Sequence, residues 1–429
     1  MSDGPTEVLV YPCGSEIGLE LFRALCYSPH FVLHGASSVK DHGAYVYGDR
    51  LHRLPPADAD DFVLHLNGLI KQLGVRFLFP AHDDIVVRLA ELADAGRLGC
   101  ELLAPNASVC ALCRSKSATY RYFQGKTPVP RVYDPSKLDE LQYPVFIKPD
   151  AGQGSQHTFL APDAQAARER LRLGSNDIVC QYLPGPEFTI DCFSDRRGLL
   201  RYAKPRVRER IADGIAVGSV QTDDARFWKW AESLNNELEF HGAWFFQMRE
   251  NAAGREHLLE ITPRIAVGSG LSRVTGVNLP LLTLYDRLGH DVDILANPLP
   301  ASHMDKALEN KYRLDLEYDI VYVDLDETLL FGDKVNVQAV AFLYQCRNNG
   351  KQIRLVTRHV SNPSKELAKH RLEGLFDKVH WLRGMEGKST VIEPGPAIFI
   401  DDSFAERMEV LRERGIPVFE PAAIEALLE

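Results

Sequence analysis

Residues 143–155 read Tyr143-Pro144-Val145-Phe146-Ile147-Lys148-Pro149-Asp150-Ala151-Gly152-Gln153-Gly154-Ser155. An apolar run closing on a lysine predicts a strand over 143–148, with Lys148 at its C-terminal end. The Gly-x-Gly-Ser turn that follows lets backbone N–H groups approach an anion closely, because no Cβ intervenes. Further strands are predicted over 178–183, 188–194, 244–248 and 257–261, rich in β-branched and aromatic residues. Their apolar–polar alternation predicts an antiparallel sheet with one covered face.

Working outward, the chain changes pattern on both sides. Upstream, short apolar strands over 7–11, 31–35 and 75–79 alternate with helices over 16–26 and 85–95, which predicts a parallel sheet in a first part, 1–104. A helix from 106 onward carries Lys116. Downstream, 297–311 holds Pro298, Pro300 and several charges with no period, and reads as a connector. From 320 a second α/β pattern runs to the C-terminus. The expected fold class is α/β throughout, in three domains: 1–104, 105–305 and 315–429.

Composition excludes several classes. The chain has 429 residues with a net charge of −10, which disfavours a nucleic-acid partner, since that wants a basic face. No run approaches the about 18 apolar residues of a membrane span, and no basic, apolar leader stands at 1–7. Eight scattered cysteines suit reduced thiols, and a cytoplasmic location is expected. Cys110 and Cys113 form a lone C-x-x-C that reads as a helix face rather than a zinc site.

The middle region gathers groups suited to a nucleoside triphosphate: Lys116, Lys148, the 152–155 turn, Gln181-Tyr182-Leu183, Glu187, Gln247, Glu260 and Arg264. Lysines at element ends can neutralise phosphates. Glu260 and Gln247, on neighbouring antiparallel strands, offer oxygens to Mg²⁺. Arg264, directly after Pro263, offers planar donors to a phosphoryl oxygen. Singly, each has an ordinary structural reading, a tight turn or a solvated lysine. Their order carries the signal.

In that order they resemble the ATP-grasp superfamily over roughly residues 1–295, including the closing Thr275-Gly276-Val277-Asn278-Leu279. The likeness is nearest to the carboxylate–amine ligase branch related to carbamoyl-phosphate synthetase and biotin carboxylase. It implies a pre-ATP-grasp α/β domain followed by an ATP-grasp α+β fold. It further implies that Lys116 and Lys148 contact ATP phosphates beneath a loop containing Gly152, Gly154 and Ser155. The backbone of Gln181, Tyr182 and Leu183 would meet the adenine edge, and Glu187 the ribose hydroxyls. Gln247 and Glu260 would hold Mg²⁺, and Arg264 would steady the transferred phosphoryl group. ATP and Mg²⁺ are the cofactors so implied, for a reaction that makes an acyl-phosphate and lets an amine capture it. Two positions depart from the family: Gln247 stands where many members carry a carboxylate, and Thr262 follows Glu260 where Glu-x-Asn is usual. The acceptor side stays open. Arg206, Arg208 and Arg210 suit either a substrate anion or a solvated strand, and Asp83 and Asp84 either hold an amine or cap the following helix.

The second cluster is Val321-Tyr322-Val323-Asp324-Leu325-Asp326-Glu327-Thr328, an apolar strand ending in two carboxylates. A strand over 353–356 ends at Thr357, Lys388 follows Glu386-Gly387, and 398–400 ends at Asp401-Asp402. Transfer through an aspartyl-phosphate needs this set. One carboxylate attacks phosphorus, a second moves protons, a hydroxyl and an ammonium hold the oxygens, and further carboxylates hold Mg²⁺. The arrangement resembles the haloacid dehalogenase (HAD) superfamily over about 319–428. That resemblance implies a Rossmann-like domain on a parallel sheet, with Asp324 as nucleophile, Asp326 as general acid/base, and Thr357 and Lys388 on the phosphoryl group. Asp324, Asp326, Asp401 and Asp402 would form the metal site. Asp326 to Thr357 and Thr357 to Lys388 each span 31 residues, too few for an inserted cap, so the site is expected to be open or covered by the preceding domains.

These readings predict a bifunctional enzyme, an ATP-dependent carboxylate–amine ligase fused to a phosphatase of the same pathway. The alternative keeps the phosphatase and makes the ATP-grasp part a nucleotide sensor. The expected partners are a small carboxylate, an amine and a phosphoester; whether two copies pair stays open.

Overall fold

The computed structural model describes residues 4–152, 157–174, 176–212, 215–297, 299, 302–307 and 310–428. Its first sheet is parallel, in the order Leu51–Arg53, Phe31–Ser37, Thr6–Tyr11, Phe77–Pro80, Glu101–Leu102. Helix Glu16–Leu25 follows the central strand, with the Ser15 hydroxyl accepting from the Gly18 amide at 3.0 Å to cap it. Helix Asp83–Asp94 follows the fourth strand, but its cap is the His82 side chain. Asp83 and Asp84 therefore lie inside its first turn and are not caps. They take arginine partners instead, Arg264 and Arg114.

The middle of the chain builds two antiparallel sheets. The smaller has the order Val132–Tyr133, Asp177–Gln181, Val145–Pro149, Phe159–Ala161. The larger runs Glu256–Thr262, Gly242–Glu250, Glu187–Ser194, Leu200–Ala212, Ile215–Gln221, Ser302–Lys306, Asn310–Leu314. Its last two strands correct the sequence reading of 297–311 as a connector. Ser302–Lys306 pairs with Ile215–Gln221 and with Asn310–Leu314, so this stretch extends the sheet as a hairpin. The reason is burial: Ser302 and Met304 point inward while Asp305 faces solvent and pairs with Arg210 at 2.7 Å. Pro298 and Pro300 lie outside the described residues. The helix expected from 106 onward is also two, Ala107–Arg114 and Lys116–Phe123, broken at Ser115. The Ser115 hydroxyl donates to Asp150 at 2.7 Å and accepts from the Ala118 amide at 3.1 Å, which starts a new helix at Lys116. Cys110 and Cys113 are buried in the first of these helices.

The C-terminal sheet is parallel again, in the order Lys378–Trp381, Gln352–Thr357, Ile320–Val323, Ala397–Ile400, Val418–Phe419. Both faces of the central strands are covered: Val321, Val323, Leu355 and Ile400 pack on one side, Tyr322, Val356 and Phe399 on the other. That explains their unbroken apolar runs. Each such buried side chain contributes about 1.5–3 kcal/mol. The intervals between motif residues hold the short hairpin Leu330–Phe331 and Lys334–Val335, helices Val337–Asn348 and Pro363–Lys369, and strands of the sheet, with no inserted cap. No helix among the described residues is long and apolar enough to cross a membrane.

Candidate functional site

Two clusters form at strand ends, one in each half of the chain. In the first, a cavity of about 130 Å³ lies between the two antiparallel sheets. Lys116, Lys148, Gly152, Gln181, Tyr182, Leu183, Glu187, Gln247 and Glu260 all line it, so nine of the residues singled out from the sequence meet there. Gly154 and Ser155 lie outside the described residues.

Local structure explains each placement. Lys148 ends the strand Val145–Pro149, and its buried ammonium donates to the Tyr120 hydroxyl at 2.7 Å. Lys116, the first residue of its helix, donates to the Gly152 carbonyl at 2.9 Å and lies 3.9 Å from Glu260. Burial holds the Lys116 pKa below its ordinary value, against the pull of Glu260. A Cβ at Gly152 would meet the Pro149 ring at 3.1 Å, which leaves little room for a side chain there. Gln247 and Glu260 are cross-strand partners, and their oxygens face the cavity together. These neutral and anionic oxygens, beside two ammonium groups, suit a Mg²⁺–polyphosphate. Glu187 is ion-paired with Arg208 and lies 3.5 Å from Arg249; both arginines line the cavity, Arg208 having been a candidate anion ligand from the sequence and Arg249 not.

The three alternating arginines separate. Arg206 is buried against Asp191 at 3.1 Å, Arg208 enters the cavity, and Arg210 pairs with Asp305 on the surface. The pairing register shifts between Arg208 and Ile211, so strict alternation fails there. Arg264 does not join the cavity lining. Asp83 takes its guanidinium at 2.6 Å, and Phe245 lies 5.5 Å beneath it. Arg264 is thus held by an ion pair with the first domain. Thr262, Asp83 and Arg114 border a smaller adjoining cavity that shares Lys116, Gly152 and Glu260 with the first.

In the second cluster, strand Ile320–Val323 delivers Asp324 and strand Ala397–Ile400 delivers Asp401. The two strands are neighbours, and the Asp324 amide donates to the Ile400 carbonyl at 2.9 Å. Lys388 donates to Asp324 at 2.8 Å and to Asp401 at 2.6 Å. Burial and the Asp401 charge raise the Asp324 pKa well above the carboxylate range, and burial pushes Asp401 up to about 6. For Lys388, burial opposes the charge, but the two carboxylates outweigh it and hold the ammonium protonated. Asp324, Asp401 and Asp402 present oxygens within 4.8 Å of one another, a hard donor set that fits Mg²⁺. Thr357 ends its strand fully buried, and its hydroxyl oxygen accepts from the His359 amide at 3.0 Å.

Asp326 departs from expectation as a metal ligand. It lies outside that carboxylate group and accepts instead from the His359 ring at 2.7 Å. Glu327, with φ 52°, turns the chain sharply after it, a left-handed conformation that costs a non-glycine residue about 1–2 kcal/mol. His359 was missed from the sequence. Its signal was position: two residues past Thr357, at the end of a strand adjacent to the one carrying Asp324.

Among known proteins, a family described as ATP-grasp in the biosynthetic pathway with Ter operon matches residues 175–307. The biotin carboxylase domain of Hydrogenobacter thermophilus 2-oxoglutarate carboxylase superposes with a TM-score of 0.59 at 14% identity, over 70% of this chain and 74% of that one. The L-amino acid ligase of Bacillus licheniformis gives 0.56 at 16% identity, over 71% and 83%. N5-carboxyaminoimidazole synthetase of Staphylococcus aureus gives 0.56 at 14%, also over 71% and 83%. A comparison with curated proteins finds no match. At these identities the likeness is one of fold, over about 70% of the chain, and the family model marks an ATP-grasp domain within it.

Proposed function

We propose that the chain is a bifunctional enzyme: an ATP- and Mg²⁺-dependent carboxylate–amine ligase joined to a HAD-like phosphatase, with domains at 1–104, 105–314 and 315–429, the second extended past 305 to take in the hairpin strand Asn310–Leu314. The observation that carries it is the presence of two separate phosphate-directed clusters on one chain, Lys116–Lys148–Glu260 and Asp324–Lys388–Asp401. In the first, the ammonium groups and Mg²⁺ at Glu260 and Gln247 would offset polyphosphate charge. A substrate carboxylate attacks the γ-phosphorus and releases ADP; an amine then displaces phosphate from the acyl-phosphate and loses a proton. The Hydrogenobacter domain was crystallised with MgADP and bicarbonate, and the Bacillus protein is an L-amino acid ligase, which supports this class.

In the second cluster, an Asp324 oxygen attacks phosphorus while Asp326 gives a proton to the departing alkoxide. Asp326 then takes a proton from water, which displaces phosphate from the aspartyl group. Lys388 and Thr357 hold the phosphoryl oxygens, and His359 orients Asp326. Mg²⁺ at Asp324, Asp401 and Asp402 would screen nucleophile from substrate.

The test is ADP release by the full chain with Mg·ATP and a panel of amino acids, beside hydrolysis of p-nitrophenyl phosphate. An amine–carboxylate pair that raises ADP release above the ATP-only rate supports the ligase. Nucleotide binding with no such pair would favour the sensor reading, for which Thr262, in place of the usual Asn, is the one specific sign.

A further inference from the structure

The strands that carry Asp324, Thr357 and Asp401 have no cap between them, so whatever holds the rest of the phosphoester must come from elsewhere. A cavity of about 420 Å³ lies against this site. Asp402 and Ser403 form one end, and an Asp402 oxygen lies within 4.8 Å of an Asp324 oxygen. The other walls come from the first domain, from helix Leu279–Arg287 and its flanking segments in the ATP-grasp half, and from Phe404, Arg407 and residues 420–422 of the C-terminal domain itself.

We propose that this interdomain cavity binds the leaving group of the phosphoester and favours esters of apolar, ring-bearing alcohols. The proposal rests on the phosphatase reading above. The lining chemistry supports it. Tyr285 stands edge-on to His30, with centroids 6.1 Å apart, and to His290 at 5.8 Å, an array that receives a planar ring. Leu281 and Phe404 add apolar surface. Apart from Asp402 at the metal-site end, the charged lining groups are already engaged. Asp291 pairs with Arg196 at 2.7 Å, Asp293 lies 3.6 Å from Arg201, Glu420 accepts from Asn278 at 2.6 Å, and Arg407 donates to the Asp401 and Asp402 carbonyls at 2.6 and 2.8 Å. A cationic leaving group would compete with those partners, whereas a neutral ring would not.

The wall is also fixed in place. Tyr27 stacks on Phe331 of the C-terminal domain at 5.6 Å, and its hydroxyl donates to Gln338 at 2.7 Å. The first domain thus takes the part of a cap, held by contacts within one chain.

The test is kcat/KM of the full-length chain, with Mg²⁺, for 2-phenylethyl phosphate and for ethyl phosphate. Both are primary alkyl esters, so leaving-group chemistry nearly cancels and the ratio reports binding of the ring. Burying a ring predicts a preference of about tenfold or more for the phenylethyl ester. Tyr285→Ala should reduce that ratio to within about threefold. His30→Ala, on an exposed loop where folding is not at stake, should reduce it in the same direction. Equal kcat/KM values in the parent, with turnover abolished by Asp324→Asn, overturn this proposal and leave the phosphatase reading standing. A preference unchanged in both variants also overturns it. If the folded parent hydrolyses neither ester, the phosphatase reading fails and this proposal falls with it.

Discussion

Lys388 stands between two buried carboxylates, 2.8 Å from Asp324 and 2.6 Å from Asp401. Removing its charge leaves two desolvated acids facing each other, and breaking a buried pair in this way costs about 3–5 kcal/mol. Lys388→Met should therefore lower stability by about that amount in urea unfolding with chelator present, and abolish phosphoester turnover. A loss below about 1 kcal/mol would mean the ammonium is not the counter-ion it looks to be. His359 presents a subtler case. It holds Asp326 through a 2.7 Å hydrogen bond without belonging to the carboxylate group, so it acts as a positioning residue. His359→Ala should reduce kcat by about tenfold to a hundredfold with KM little changed, because Asp326 loses the contact that aims it, and His359→Gln should restore part of that loss. A fall in kcat that His359→Gln does not relieve would assign His359 a structural role only. Asp324, Thr357 and Asp401 were readable because each sits at the end of an apolar strand, a local signal. The Asp326–His359 contact joins positions 33 apart and follows only from the pairing of Ile320–Val323 with Gln352–Thr357. The Arg264–Asp83 contact was hidden for the same reason, since the two are 181 residues apart.

At the level of elements, the register between Gly242–Glu250 and Glu256–Thr262 sets Gln247 opposite Glu260, and the irregular pairing after Gln247 keeps both at the cavity. Glu260 supplies the negative oxygen of that pair, so Glu260→Gln should cut Mg·ATP-dependent ADP formation by about a hundredfold while phosphatase activity persists. ADP formation at the parent rate would remove Glu260 from the site. The strands carrying these residues were legible from alternation and β-branched content. The hairpin Ser302–Lys306 and Asn310–Leu314 was not. Its strands are five residues each, mix charges with few apolar positions, and follow two prolines, so sheet pairing rather than local pattern defines them. The break at Ser115 was hidden likewise, since it depends on a hydroxyl reaching Asp150.

Across the whole molecule, Arg273 ties the halves together. Its buried guanidinium donates to Glu20 of the first domain at 2.9 Å, to the Ala422 carbonyl at 2.7 Å, and to Glu425 near the C-terminus. Arg273→Ala should cost about 3–5 kcal/mol and split thermal unfolding into separate transitions, as calorimetry would register. A single transition at the parent Tm would show that the domains are held by other contacts. The succession of parallel, antiparallel and parallel sheets was legible, because period and strand composition are local. Their docking was not, since Glu20, Arg273 and Glu425 are separated by 253 and 152 positions. The two clusters share no residue, and the central claim is that they act as two independent phosphate-directed sites. The direct measurement assays Lys148→Ala and Asp324→Asn, each in the full chain, for both Mg·ATP-dependent ADP release and p-nitrophenyl phosphate hydrolysis. Each substitution is expected to silence its own activity and spare the other. Loss of both activities in either variant, or of neither in both, would contradict the account.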